Sequence, residues 1–130
     1  MDNKTILLVE DSGFMTDRIT QALSETHGFT VVTAETAAEA RDELATSDID
    51  CVLVNNVLVD GTGIEFAESV HRSVPIILFT TSELEPIAAE AIEAGVTEFI
   101  HKDHHVTESL DVLANRIDVS IRAERARQEP

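Results

Sequence analysis

Five short apolar runs alternate along the chain with stretches in which apolar residues recur at helical spacing. The runs are rich in β-branched residues and contain few polar positions, which is typical of strands covered on both faces. They predict strands at Thr5 to Val9, Thr30 to Ala34, Cys51 to Asn55, Ile76 to Thr80 and Glu98 to His101. Because the strands alternate with helices, we expect an α/β fold with a parallel sheet and right-handed crossovers.

The intervening segments predict five helices. The first carries an apolar stripe and ends at Gly28, and the second opens with the capping-box pair Thr36 and Glu39. The second helix is expected to run to about Ala45, the third to follow Gly63, the fourth to run from near Pro86 to Gly95, and the last to begin around Thr107. No core face continues beyond Ile121. We therefore expect one domain over residues 1–121 and a charged, frayed tail over residues 122–130 that suits a linker.

The charge of the chain is extreme for its size. Twenty-five acidic side chains against nine lysines and arginines give a formal net charge of −16 over 130 residues. Repulsion within such a surface destabilises the compact state at low salt, so we expect a halophilic source organism. The same surface would repel the phosphates of nucleic acid, so direct binding to nucleic acid is not expected.

The sequence also indicates where in the cell the protein is found. Met1 to Thr5 do not form a signal-peptide pattern, and no apolar run is long enough to cross a bilayer. We expect a cytoplasmic protein without a membrane partner. The single cysteine, Cys51, lies in an apolar strand and is expected to be a buried thiol.

Polar residues stand at the carboxyl ends of four predicted strands. Glu10 and Asp11 follow the first strand, Asn55 ends the third, Thr80 ends the fourth and Lys102 follows the fifth. In an open parallel sheet these ends share one edge, where ligands bind in a crevice. The pattern therefore predicts one site that combines two carboxylates, an amide, a hydroxyl and an ammonium group.

Several spaced motifs give the chain a resemblance to a known family. The stretches ILLVEDS from Ile6, DCVLVN from Asp50, PIILFTT from Pro75 and GVTEFIHK from Gly95, together with Gly63, resemble response-regulator receiver domains over essentially the whole chain. The resemblance implies a doubly wound, flavodoxin-like (βα)5 fold with strand order 2-1-3-4-5. The stretch VLANRI from Val112 is similar to receivers of haloarchaeal signalling proteins.

The resemblance also implies roles for the residues of the crevice. Glu10 and Asp11 match the acidic pair that helps to bind magnesium, Asn55 falls on the phosphoacceptor aspartate, Thr80 matches the hydroxyl residue that contacts the phosphoryl group, Phe99 matches the aromatic switch residue, and Lys102 matches the lysine that pairs with the acceptor. The resemblance further implies a sensor histidine kinase or another signalling protein as partner, and an attached output domain. Dimerisation through the surface of the last two helices and simple core packing explain the last apolar stripe equally well.

The amide at position 55 changes the expected function. An amide cannot act as the carboxylate nucleophile that forms an acyl phosphate. We therefore expect a non-enzymatic, receiver-like module of a two-component phosphorelay that works without phosphorylation at Asn55. With one carboxylate missing, Mg²⁺ is expected to bind only weakly at Glu10 and Asp11, because it prefers anionic oxygens.

Two alternatives remain open from the sequence. Phosphorylation could persist at Asp60, or at position 55 after deamidation of Asn55. A flavodoxin-like enzyme that binds a cofactor or nucleotide would use the same crevice, although the chain has no Trp or Tyr for flavin stacking. The cluster of His101, His104 and His105 lacks a second ligand set, which disfavours zinc.

Overall fold

The sheet has the predicted parallel arrangement. The computed structural model describes residues 4–70, 73–80, 93–101 and 106–128. Five strands form the parallel sheet: Thr5–Val9 (β1), Thr30–Ala34 (β2), Cys51–Val54 (β3), Ile76–Thr80 (β6) and Glu98–His101 (β7). They lie in the order β2-β1-β3-β6-β7, and the short strands β4 and β5 belong to a separate hairpin described below. The strand order 2-1-3-4-5 is thereby confirmed, with β6 and β7 as the predicted fourth and fifth strands.

Alternation along the strands divides the core into two layers. In β1, Leu7 and Val9 belong to the cluster that includes residues of helices α2 (Ala37–Thr46) and α3 (Gly63–Glu68). Ile6 and Leu8 belong to the opposite cluster, with residues of α1 (Gly13–Gln21) and of the C-terminal helix Val106–Gln128. Successive strand residues point to opposite faces, so an uninterrupted apolar strand fills both layers.

The capping box predicted at Thr36 and Glu39 forms only in half. The Thr36 hydroxyl accepts a hydrogen bond from the Glu39 amide at 3.1 Å, but Glu39 Oε2 accepts one from the Glu35 amide at 3.2 Å, whereas a capping box requires the amide of the N-cap residue. Gly28 has φ of 73° just beyond the helical segment, as expected for a left-handed C-terminal residue. Between α1 and Gly28, residues Ala22–Thr26 form a π-helical segment that periodicity did not predict.

The predicted fourth helix falls mostly outside the described residues. Its described end agrees with the expectation, since Glu93 is helical and Gly95 has φ of 96°. Across the described part of the chain, no helix combines the length and the apolar character that a membrane span requires.

Three features differ from the prediction. Strand β3 ends at Val54, one residue before Asn55, and a small antiparallel hairpin follows, formed by β4 (Val57–Leu58) and β5 (Gly61–Thr62).

The expected fraying of the tail is wrong for residues 122–128, which continue the C-terminal helix. Polar contacts hold this extension, which an apolar pattern cannot reveal: Arg125 donates to Asp50 Oδ1 at 3.3 Å and Gln128 to the Ser73 carbonyl at 3.4 Å. The domain boundary and the linker role stay predictions.

Gly63 is required by a close approach of the backbone. A Cβ at this position would lie 2.6 Å from the Asn55 carbonyl oxygen and 2.7 Å from Leu78 Cδ1. We expect Gly63→Ala to lower the free energy of unfolding by about 1–3 kcal/mol, because the hairpin and α3 must move away from β3.

Gly13→Ala is the matched control, because a Cβ there meets nothing within 4 Å and alanine is the better helix former. Urea unfolding of both variants at high salt measures the difference. Equal stability of the two variants would contradict the packing constraint at Gly63.

Candidate functional site

Glu10 and Asn55 meet at the carboxyl edge of the sheet. Each continues the strand ladder by one residue: the Glu10 amide donates to the Ala34 carbonyl at 3.0 Å, and the Asn55 amide to the Val9 carbonyl at 3.0 Å. Since β1 and β3 are neighbours in the sheet, the two side chains come together as the sequence predicted.

The Asn55 side chain acts as a hydrogen-bond donor. Its Nδ2 group donates to Glu10 Oε1 at 3.4 Å and to the Val57 carbonyl at 2.8 Å. Glu10 is only 3% exposed, and the same Oε1 also accepts from the Ser12 amide at 3.2 Å. A buried carboxylate needs such donors, so the amide at position 55 suits Glu10 in a way that a second carboxylate would not.

Asp11 differs from its neighbour. Its side chain is exposed, while Glu10 is buried. Ser12 follows as the N-cap of α1, where its hydroxyl accepts from the Met15 amide at 3.3 Å. The helix therefore begins immediately after the acidic pair, which keeps both carboxylates at the carboxyl edge of the sheet.

The remaining predicted site residues are described only in part. Lys102, His104 and His105 lie outside the described residues. For Thr80 and Phe99 the structure describes the backbone, in β6 and β7, but not the side chains. The proposed phosphoryl contact, switch and pairing roles of Thr80, Phe99 and Lys102 therefore stay predictions.

The donor set at this edge does not fit a tightly held magnesium ion. Mg²⁺ requires oxygen ligands, yet Asn55 presents its N–H group toward Glu10, whose Oε1 accepts two hydrogen bonds. Within the ranges that the structure describes, no three His, Cys, Asp or Glu side chains are grouped so as to hold a metal ion. The expected weak Mg²⁺ binding at Glu10 and Asp11 stays a prediction.

Asp60 has a role that sequence reasoning missed. Its Oδ1 accepts from the Ala37 amide at 2.9 Å, and its Oδ2 accepts from the Ala38 amide at 3.1 Å. These hydrogen bonds hold the pKa of the Asp60 carboxyl below its usual range, and the one from Ala37 contributes most. Because donors and acceptor are more than twenty residues apart, no local pattern could have signalled the contact.

Two buried residues lie on or beside the strand that leads to Asn55. Asn56 is 9% exposed, and its Oδ1 atom has no hydrogen-bond partner among the described residues. Cys51 begins β3, at the opposite end of the strand from Asn55; it is buried, as expected, and desolvation raises the pKa of its thiol well above the ordinary value. A thiol that stays protonated is a poor nucleophile and a poor metal ligand, and Cys51 lies outside the site, so it contributes packing and not chemistry.

Comparison with known proteins identifies the family. The profile of the response regulator receiver domain matches residues 6–114, which is most of the chain. The chain belongs to the response regulator receiver domain family. Receiver domains are signalling modules, and the sheet order and the acidic edge of this chain agree with that assignment.

The receiver domain is similar to both curated and structurally characterised relatives. It is 30% identical over 127 residues to the KDP operon transcriptional regulatory protein KdpE of Escherichia coli K12, covering 96% of this chain and 54% of that protein. The non-phosphorylated HemR receiver domain from Leptospira biflexa is 29% identical, with a TM-score of 0.78 and coverage of 88% of this chain and 94% of that one. The signal receiver domain of an HD domain-containing protein from Pseudomonas fluorescens Pf-5 is 26% identical, with a TM-score of 0.82 and coverage of 98% and 95%. This chain spans about half the length of the curated relative.

Replacing Asn55 by aspartate tests the site directly. We expect Asn55→Asp to lower the free energy of unfolding by about 1–2 kcal/mol in the presence of a chelator, because it removes the donor to Glu10 and adds a like charge. Millimolar Mg²⁺ should reverse this loss, since a third carboxylate would then face Glu10 and Asp11. Urea unfolding with EDTA or Mg²⁺ measures both effects.

Asn115→Asp is the control, because it adds the same charge at an exposed position of the C-terminal helix. It should respond to Mg²⁺ no more than the unmodified domain does. An equal Mg²⁺ response of all three proteins would show that the ion acts on the acidic surface in general and not at this site.

Proposed function

We propose that this receiver domain is a signalling module that is not controlled by phosphorylation at position 55. The observation that supports the proposal is the Asn55 side chain, which donates to Glu10 and to the Val57 carbonyl. An acceptor aspartate would instead present a charged oxygen to an incoming phosphoryl group. The amide has no such nucleophilic oxygen, and because it is uncharged it cannot offset the charge of a bound cation.

The contacts of Asp60 argue against the first alternative acceptor. Each of its carboxylate oxygens accepts a hydrogen bond from a backbone amide at the start of α2. Phosphorylation there would require the loss of at least one of these hydrogen bonds. Deamidation of Asn55 remains the second route to a phosphorylated form, and the experiment below detects either product.

A receiver without an acceptor must change state through binding. A ligand or partner shifts an equilibrium only through different affinities for the two conformations. Exposed apolar side chains of the described residues lie on elements that begin at the carboxyl edge of the sheet: Phe14 in α1 is 68% exposed, and Val57 and Val59 in the hairpin are 61% and 76% exposed. Such a rim suits contact with a signalling protein, for which a sensor histidine kinase is our first candidate.

The output domain, the cellular location and the source organism are also part of this proposal. KdpE is a transcriptional regulatory protein roughly twice as long as the matched segment, which supports an attached output domain. We propose that such a domain, and not the acidic receiver, would carry any contact with nucleic acid. A cytoplasmic location, a non-enzymatic role and a haloarchaeal origin are further parts of the proposal. The apolar stripe of the C-terminal helix (Leu110, Leu113, Ile117 and Ile121) is buried in the core, so it gives no support to a homodimer. The membership in the receiver family does not favour the flavodoxin-like enzyme.

Incubation with acetyl phosphate and magnesium tests the acceptor. We expect no phosphoryl adduct in the intact mass of the folded domain, because position 55 has no nucleophilic carboxylate. Asn55→Asp is the positive control, and it should gain the mass of one phosphoryl group. An adduct on the unmodified domain that maps to Asp60 or to a converted Asn55 would overturn the proposal.

Salt dependence tests the halophilic origin separately. We expect the melting temperature to rise steeply between low salt and molar KCl, because screening relieves the repulsion that a net charge of −16 produces. Thermal unfolding at several KCl concentrations measures this. A melting temperature that does not depend on salt would contradict the expectation and leave the acceptor chemistry untouched.

A further inference from the structure

The hairpin after β3 supplies the N-cap of α3 and additional hydrogen-bond acceptors for the first amides of α2. At its end, Thr62 accepts from the Glu65 amide at 3.1 Å, and Glu65 Oε1 accepts from the Thr62 amide at 3.0 Å, which completes a capping box for α3. At its tip, Asp60 accepts hydrogen bonds from the Ala37 and Ala38 amides at the start of α2. One six-residue segment therefore contacts the first turns of two helices that cover this face of the sheet.

Asp60 completes the capping of α2. The first helical amides have no partner within a helix, and here Ala37 and Ala38 donate to Asp60 while Glu39 donates to Thr36. A carboxylate at a helix N-terminus is also favoured by the helix dipole. The capping of α2 therefore depends in large part on a residue that lies in another segment of the chain.

A second contact ties the same two segments together. Arg41 on α2 donates through Nε to Ser69 Oγ at 2.9 Å, and its guanidinium carbon lies 5.9 Å from the centre of the Phe66 ring. Ser69 and Phe66 belong to the end of α3 and its C-cap. Helix α2 is thus attached to the segment after Asn55 at the hairpin and again at α3.

The hairpin is in turn attached to Asn55. The Asn55 side chain donates to the Val57 carbonyl at 2.8 Å, and the Gly63 amide donates to the Asn56 carbonyl at 2.8 Å. The contact distances around Gly63 leave no space for even a methyl group. A rearrangement of the Asn55 side chain must therefore break its bond to the start of the hairpin or move the hairpin with it.

We propose that Asp60 couples the site at Glu10 and Asn55 to helix α2, so that a change of charge or ligand at this site alters the capping of α2. The inference rests on the proposed function only in taking this site as the input. The capping contact and its link to Asn55 stand on the geometry alone.

Amide hydrogen exchange of Ala37 and Ala38, resolved by NMR, tests the contact. We expect Asp60→Ala to speed exchange at both amides by about fivefold, because each loses one hydrogen bond. Asp42→Ala is the matched control: it removes the same charge from an exposed position on α2, and it should leave both rates unchanged. Unchanged rates in Asp60→Ala, or equal acceleration in Asp42→Ala, would overturn the proposal.

The coupling itself is tested by combining two changes. In Asn55→Asp, the addition of Mg²⁺ should shift the Ala37 and Ala38 amide resonances. In the double variant that also carries Asp60→Ala, those shifts should disappear, while residues next to position 55 still respond. Equal shifts at Ala37 and Ala38 with and without Asp60 would overturn the coupling.

A second variant at position 60 and the phosphorylation experiment separate the possible outcomes. If Asp60→Ala does not fold, Asp60→Asn replaces it. Each Asp60 oxygen meets a different amide, and asparagine replaces one of these oxygens by an NH2 group, so one exchange rate should rise and the other should stay. A phosphoryl adduct on the unmodified domain would refute phosphorylation-independent signalling but leave these exchange results in place. The two proposals therefore fail separately.

Discussion

The close approach of Gly63 to the Asn55 carbonyl is the constraint on which the candidate site depends. A Cβ at Gly63 would lie 2.6 Å from that oxygen, so only glycine lets the chain return under β3 without a shift of the backbone. The return closes the hairpin of residues 57–62 and starts α3 immediately afterwards. Because the hairpin is held close to Asn55, its other polar groups are placed accurately enough to cap two helices.

Charge explains why an amide is stable at position 55. The chain is strongly acidic, and Glu10 is nevertheless almost completely buried at the sheet edge. A buried carboxylate is costly unless donors or cations compensate it, and the described donors to Glu10 Oε1 are the Ser12 amide and the Asn55 side chain. In a receiver with an acceptor aspartate, a bound cation would have to offset two facing carboxylates. At this edge Asn55 therefore places a hydrogen-bond donor beside Glu10, where a second carboxylate would add a like charge.

The sequence predicted the meeting of Glu10 and Asn55 but not the role of Asp60. The first follows from a general property of parallel sheets, in which the carboxyl ends of neighbouring strands share one edge. The second depends on where a hairpin tip lies relative to the start of α2, and residues 37 and 60 are far apart in the chain. Local patterns also missed the polar anchoring of residues 122–128, since Arg125 reaches Asp50 without any apolar periodicity. Hydrogen bonds between distant segments leave no periodic trace.

By itself, the sequence determined the five strands of the parallel sheet, the covering of both sheet faces and the edge of the sheet at which the site lies. An apolar strand such as β1 can be stable only when both of its faces are covered, and that requirement can be read residue by residue. Only the tertiary structure decided how polar groups find partners: that Asn55 donates to Glu10, that Asp60 caps α2, and that Gly63 leaves no space for a side chain. The physical reason is that burial depends on composition and spacing along the chain, whereas a hydrogen bond requires its two atoms to be placed to within a few tenths of an ångström, which only the folded backbone sets.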